Sequence, residues 1–126
     1  MNERAPQFVQ NLVIRDYCQR NNFTYLLSAT EYAINNSHLI LNQIVNDDLK
    51  NCDGIVLYSL FQLPEDQKIR KKICKDVLNY RKQIHFALEN LFINNKTTME
   101  YIEEIWGIAI NQASEFDILN IKQFQL

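Results

Sequence analysis

The chain is poor in glycine and proline, with two of each among 126 residues, so flexible or proline-rich linkers are not expected. It contains no apolar run of about 20 residues, and its first four residues lack an apolar core, so neither a membrane span nor a signal peptide is predicted. The formal net charge of −2 provides no field that would attract nucleic acid or an anionic membrane.

Cysteine is also scarce, and the three residues present (Cys18, Cys52 and Cys74) form no C-x-x-C pair. An odd set at such spacing predicts reduced thiols in a cytoplasmic protein and no metal site. We therefore expect neither a metal nor another cofactor. With 47% hydrophobic and 22% charged residues, the sequence is typical of one folded domain over residues 1–126.

The rest of the chain is arranged around residues 53–66, DGIVLYSLFQLPED. The run IVLY is rich in β-formers and predicts a buried strand over residues 55–60, after a turn at Asp53-Gly54. Pro64 and the two carboxylates after it favour the start of a helix. A strand that leads through a short loop into a helix indicates an α/β unit, whose ligands bind beyond the carboxyl ends of the strands.

Other segments predict further elements. Residues 7–20 read as a helix with Phe8, Leu12 and Tyr17 on its apolar side and Gln10 facing away. The predicted strands and helices are then strand 23–28, helix 38–49, helix 65–80, strand 83–88 and a helix from a Thr97/Glu100 capping box to about residue 110. The tail 114–126 stays unassigned. The alternation favours a three-layer α/β/α sandwich with a mostly parallel sheet, resolvase-like or flavodoxin-like.

Two segments resemble the serine recombinase (resolvase) catalytic domain. QNLVIRDYCQRNNF (10–23) is similar to its first helix, and DGIVLYSLFQL (53–63) is similar to its third strand. The resemblance implies a recombinase-like fold.

The same alignment implies loss of recombinase activity. The family's nucleophilic serine would fall at or before Met1, its arginine pair on Gln62 and Glu65, and a further arginine near Ser37. Phosphoryl transfer needs cations around the phosphate oxygens, and a glutamine with a glutamate supplies none.

A longer resemblance covers most of the chain. The blocks ERAPQFVQNLVIRDYC, TYLLSATEYA, DGIVLYSLFQLPED and IHFALENLFINN, and the region through Trp106, resemble the sporadic carbohydrate cluster protein family. Such small bacterial proteins are encoded among surface-polysaccharide genes, without a firmly assigned reaction. The resemblance implies that the family's N-terminal strand is absent from this sequence and that residues 107–126 form a C-terminal extension.

Polar residues follow the predicted strands and would converge at one edge of a parallel sheet. Glu31 and Glu89 are the candidate catalytic carboxylates, as general acid, general base or acceptor for sugar hydroxyls. The candidate substrate-binding residues are Arg4, Gln7, Asn11, Tyr58 and Ser59. The alternative is that these side chains cap helices or bind loop amides.

Three further features favour structural roles. His85, in the middle of a strand, is expected to be a hydrogen-bonded structural histidine rather than a catalytic one. The lysines of 68–75, with Arg70 and Arg81, indicate a solvated helix face rather than a nucleic-acid site. Trp106 is expected to pack inside the protein or at a dimer face.

The family resemblance leads to the expected function. It implies a cytoplasmic accessory protein or enzyme of surface-polysaccharide biosynthesis that binds or acts on a sugar or nucleotide-sugar. The alternative is a non-catalytic recombinase-like module that dimerises and binds a partner protein.

Overall fold

In a computed structural model, residues 5–25 and 52–108 are described. Helix α1 spans Gln7–Arg20, β1 Gly54–Leu57, a 3-10 turn Leu60–Gln62, α2 Gln67–Asn79, β2 Gln83–Phe86 and β3 Leu91–Ile93. A last helix, α3, covers residues 96–108. The predicted helix 38–49, the tail and residues 26–28 of the predicted strand 23–28 lie outside the described residues. Residues 23–25 of that strand are described, and they form no strand.

The described strands form a mixed sheet in the order β1-β2-β3. β1 and β2 are parallel, with Ile55 opposite Ile84, and are joined through α2 as the α/β pattern predicts. β2 and β3 are antiparallel, with Ile84 opposite Ile93. The α/β class is therefore confirmed for this part of the chain, but the expected mostly parallel sheet is not: the predicted strand 83–88 ends at Phe86, and residues 87–90 turn back into β3.

Capping side chains explain why α2 and α3 begin at residues other than the predicted ones. Asp66 caps α2 by accepting from the amides of Lys68 and Ile69 at 2.9 and 3.2 Å, so Pro64 precedes the helix instead of opening it. Asn95 caps α3, since its Oδ1 accepts from the amide of Thr98 at 2.8 Å and the Thr98 hydroxyl accepts in return from the Asn95 amide at 3.0 Å. That reciprocal pair takes the place of the predicted Thr97/Glu100 box.

Apolar side chains of α2, α3 and the sheet enclose one core. The helices contribute Ile73, Val77 and Ile102, and β2 contributes Ile84 and Phe86, all at most 2% exposed. Cys18 and Cys74 are also buried, as residues that fill the interior. Ile73 and Val77, one helical turn apart, therefore lie on the buried side of α2.

Arg70 is buried, with 4% exposure, and does not belong to the solvated lysine face to which the sequence assigned it. Its guanidinium forms a two-pronged ion pair with Glu103 of α3 and donates to the carbonyls of Pro64 and Glu65 at 3.0 and 2.9 Å. It also lies 4.0 Å from the ring centre of Trp106, which packs inside the protein. Arg70 therefore ties the start of α2 to α3.

The buried side of α1 agrees with the prediction at Tyr17 but not at Phe8, Leu12 or Gln10. Gln10 and Tyr17 are 6% and 2% exposed, whereas Phe8 and Leu12 are 68% and 62% exposed. At 100° per residue, positions 10 and 17 share a face and position 8 lies on the opposite side from 17. Polar contacts of Gln10 and Tyr17 with the loop and the sheet decide which face is buried, and a count of apolar residues alone misses them.

The two glycines predict opposite responses to alanine. A Cβ at Gly54 would lie 2.6 Å from the carbonyl oxygen of Gln83 in the paired strand, so G54A should destabilise the fold by about 1–3 kcal/mol. A Cβ at Gly107, in α3, meets nothing within 4 Å, and G107A should stabilise by about 0.5–1 kcal/mol. Urea unfolding measures both changes. Equal stability of G54A and the parent protein would contradict the β1–β2 register.

Candidate functional site

The candidate site is built on residues 58–62, here called the site loop, which follow β1. Ser59 caps the 3-10 turn, because its Oγ accepts from the amide of Phe61 at 3.2 Å. The strand pairing continues beyond the strands, with the amide of Leu88 donating to the carbonyl of Tyr58 at 2.8 Å. The site loop therefore lies beside the turn that follows β2.

Glu89, in that turn, binds the site loop directly. Its Oε2 accepts from the Ser59 hydroxyl at 2.7 Å, and its Oε1 accepts from the amide of Leu60 at 2.9 Å. Asn90 follows with φ 55°, a left-handed conformation that asparagine tolerates and that turns the chain into β3. Two candidate residues from separate segments, Ser59 and Glu89, are thus in contact at the carboxyl ends of the parallel strands.

A chain of amides joins the site loop to α1. The backbone amide of Tyr58 donates to Gln62 Oε1 at 2.7 Å, and Gln62 Nε2 donates to Gln10 Oε1 at 3.0 Å. Gln10 Nε2 then donates to the carbonyl of Ala5 at 2.8 Å. Gln10 is the residue that the sequence interpretation missed; its position two helical turns before buried Tyr17 was the signal that could have found it.

The structure does not place the remaining candidate residues in contact with Ser59 or Glu89. Gln7 and Asn11 lie on the first turns of α1 and bind each other, with Gln7 Nε2 donating to Asn11 Oδ1 at 3.0 Å. Arg4 and Glu31 lie outside the described residues. The pairing of Glu31 with Glu89 as two catalytic carboxylates therefore stays a prediction.

His85 is buried on the face of β2 opposite Ile84 and Phe86. Its Nδ1 lies 2.6 Å from the Tyr17 hydroxyl, and its Nε2 lies 2.9 Å from Gln83 Oε1. Burial lowers the pKa of His85 below its ordinary value of 6.5. His85 is therefore buried and hydrogen-bonded, as expected of a structural histidine.

The buried thiols are poorly suited to nucleophilic chemistry. Burial, reinforced by the nearby Glu103 carboxylate, raises the pKa of Cys74 to about 12, against the opposing effect of Arg70. Burial also raises the pKa of Cys18. Within residues 5–25 and 52–108, no group of three or more histidine, cysteine or acidic side chains could hold a metal ion.

Comparisons of the chain with family models, with curated proteins and with solved structures find no match. Of the helices that the structure describes, none is both long enough and apolar enough to cross a bilayer. The arrangement of side chains around the site loop is therefore the main structural guide to function.

The role of Glu89 in holding the site loop can be measured by a neutral substitution. E89Q replaces one acceptor oxygen by a donor and removes the charge, so the hydrogen bonds to Ser59 and Leu60 weaken and the free energy of unfolding should fall by about 1–2 kcal/mol. E104Q, the same change at an exposed residue of α3, is the matched control and should stay within about 0.5 kcal/mol of the parent. Urea denaturation compares the two. Indistinguishable midpoints would show that Glu89 does not hold the loop.

Proposed function

We propose that this chain is an accessory protein or enzyme of bacterial surface-polysaccharide biosynthesis that binds a sugar or nucleotide-sugar at the site loop. The resemblance to the sporadic carbohydrate cluster protein family supports a role in surface-polysaccharide biosynthesis. The location of the binding site is inferred from one observation, the 2.7 Å hydrogen bond from the Ser59 hydroxyl to Glu89 Oε2 across the ends of two parallel strands. Open α/β sheets bind their ligands at such an edge.

The hydrogen-bonding capacity left around the site loop supports a hydroxyl-rich ligand. Each carboxylate oxygen of half-buried Glu89 accepts one hydrogen bond within the described residues and can accept a second. Within the described residues, Gln62 uses one of its two amide hydrogens, in the bond to Gln10. Within the described part of the chain, the Tyr58 hydroxyl makes no hydrogen bond. Acceptors and donors of this kind match the alternating donor and acceptor character of sugar hydroxyls.

The proposal includes the finer fold. Tyr17 of α1 contacts His85 on one face of β2, while α2 packs on the side of Ile84 and Phe86. Helices on both sides of a sheet support a three-layer, resolvase-like sandwich. In such a sandwich the start of α1, with Gln7 and Asn11, would lie near the same edge as the site loop. A role for Arg4, which lies outside the described residues, stays a prediction.

Binding of a sugar predicts a midpoint shift in a thermal melt. We expect one member of a panel of nucleotide-activated and free sugars to raise the midpoint, because a ligand that binds only the folded state stabilises it by mass action. Y58F removes a hydroxyl without removing the ring, and it should weaken binding roughly twofold to tenfold, the value of one neutral hydrogen bond. Calorimetric titration measures the affinity.

The control for that experiment is Y101F, at a tyrosine of α3 that is 56% exposed. It should bind as the parent does. If both tyrosine variants lose affinity equally, the ligand binds elsewhere. If no sugar shifts the midpoint of a cooperative melt, the alternative of a non-catalytic, dimerising recombinase-like module that binds a partner protein is favoured.

A further inference from the structure

Two side-chain hydrogen bonds attach α1 to the rest of the described protein. Near its start, Gln10 binds Gln62 of the site loop at 3.0 Å; near its end, Tyr17 binds His85 of β2 at 2.6 Å. The two attachment points are two helical turns apart, or about 10 Å along the helix. One rigid element thus joins the site loop to a buried titratable group.

The partners of His85 define where its proton lies. With the Gln83 amide oriented so that Oε1 faces the imidazole, the contact assigns the hydrogen to Nε2 and leaves Nδ1 as an acceptor. In that tautomer the hydroxyl of Tyr17, a residue that is 2% exposed, is the donor to Nδ1. The Tyr17–His85 bond in this form therefore requires a neutral imidazole.

The surroundings of the His85 ring are mainly aromatic. Phe23 lies edge-on with ring centres 4.9 Å apart, and Phe92 of β3 lies at 5.7 Å. From α1 the titratable groups are Tyr17 itself, the neighbouring thiol of Cys18, and the guanidinium of Arg20, which lies 5.9 Å from the Tyr17 ring centre. Among the described residues, no carboxylate binds the imidazole; Asp16 is paired with Arg20 at 2.8 Å.

We propose that α1 couples the protonation of His85 to the site loop, so that mild acid loosens α1 from β2 and releases Gln62 from Gln10. A proton on Nδ1 would face the Tyr17 hydroxyl, which must rotate to accept it and leaves its own hydrogen without a partner. A buried hydroxyl hydrogen without an acceptor is unfavourable, and so is a charge on the imidazole of His85, a residue that is only 9% exposed. Both costs are relieved when α1 moves away, and Gln10 moves with it.

The direction of the pH effect follows from the lowered pKa of the folded state. Between pH 6.5 and the pKa of folded His85, the released form binds the proton more tightly than the docked form. The docked state is therefore fully favoured above pH 6.5, loses stability as the pH falls through this window, and changes no further below it. Each unit of separation between the two pKa values multiplies the population of the released form tenfold.

Nuclear magnetic resonance of the full chain tests the coupling without any ligand. We expect the imidazole nitrogens to report a hydrogen on Nε2 at neutral pH and a titration midpoint below 6.5. The side-chain amide signals of Gln10 and Gln62 should change with the same midpoint, and amide exchange in α1 should accelerate while that of α2 does not. H38Q removes the other histidine of the chain, so the imidazole signals that remain belong to His85. It is also the matched control, because the change of the Gln62 signal with pH should be the same as in the parent protein.

Two outcomes would overturn the coupling. One is a hydrogen on Nδ1 at neutral pH; the other is a Gln62 signal that stays constant while His85 titrates. H85N keeps an acceptor near the Nδ1 position and cannot become charged, so its Gln62 signal should not respond between pH 7.5 and 5. If H85N does not fold, Y17F serves instead and should shift the Gln62 signal toward its released position already at neutral pH.

The coupling rests on the proposed function only in treating residues 58–62 as a binding site. Because its readout is the protein's own resonances, it can fail while a sugar still binds. Conversely, if no sugar binds, the pH response of the Gln62 signal still decides whether the coupling exists.

Discussion

The parallel pairing of β1 with β2 is the constraint on which the rest of the described structure depends. Gly54 allows the two backbones to meet at the start of the pair, where a Cβ would lie 2.6 Å from the Gln83 carbonyl oxygen. The same register continues past the strands to the bond between Leu88 and Tyr58. That extension places Glu89 beside Ser59, so the geometry of the candidate site is a direct result of strand register.

Much of this arrangement could be predicted where one local rule dominates. The end of α1 follows from the two asparagines after Arg20, and Asn22 does adopt a left-handed φ of 59°. The failures occur where a distant contact decides. The predicted strand 83–88 is an exception, because Asn90 is a local turn signal: it adopts a positive φ and leads the chain from Phe86 back into β3. Arg70 reads as a surface residue until Glu103, 33 positions away, is known to pair with it.

The site shows the same division between local and distant information. The contact of Ser59 with Glu89 could be anticipated, because polar residues after parallel strands meet at one edge of the sheet. The bond from Gln62 to Gln10 could not, since it joins residues 52 positions apart and both are uncharged amides with no characteristic spacing. Buried polar groups need partners, so a glutamine on the same face of a helix as a buried tyrosine is a useful signal for such a contact.

The long sequence separation of the α1 contacts also bears on the order of assembly. The β2–β3 hairpin closes through a four-residue turn, whereas Tyr17 meets His85 across 68 positions of chain. Loop-closure entropy grows with the length of the loop, so docking of α1 is the most expensive step in conformational entropy among these contacts. We expect the sheet and α2 to form the folding nucleus and α1 to join after the transition state. Changes at Gln10 or Tyr17 would then act mainly on the rate of unfolding.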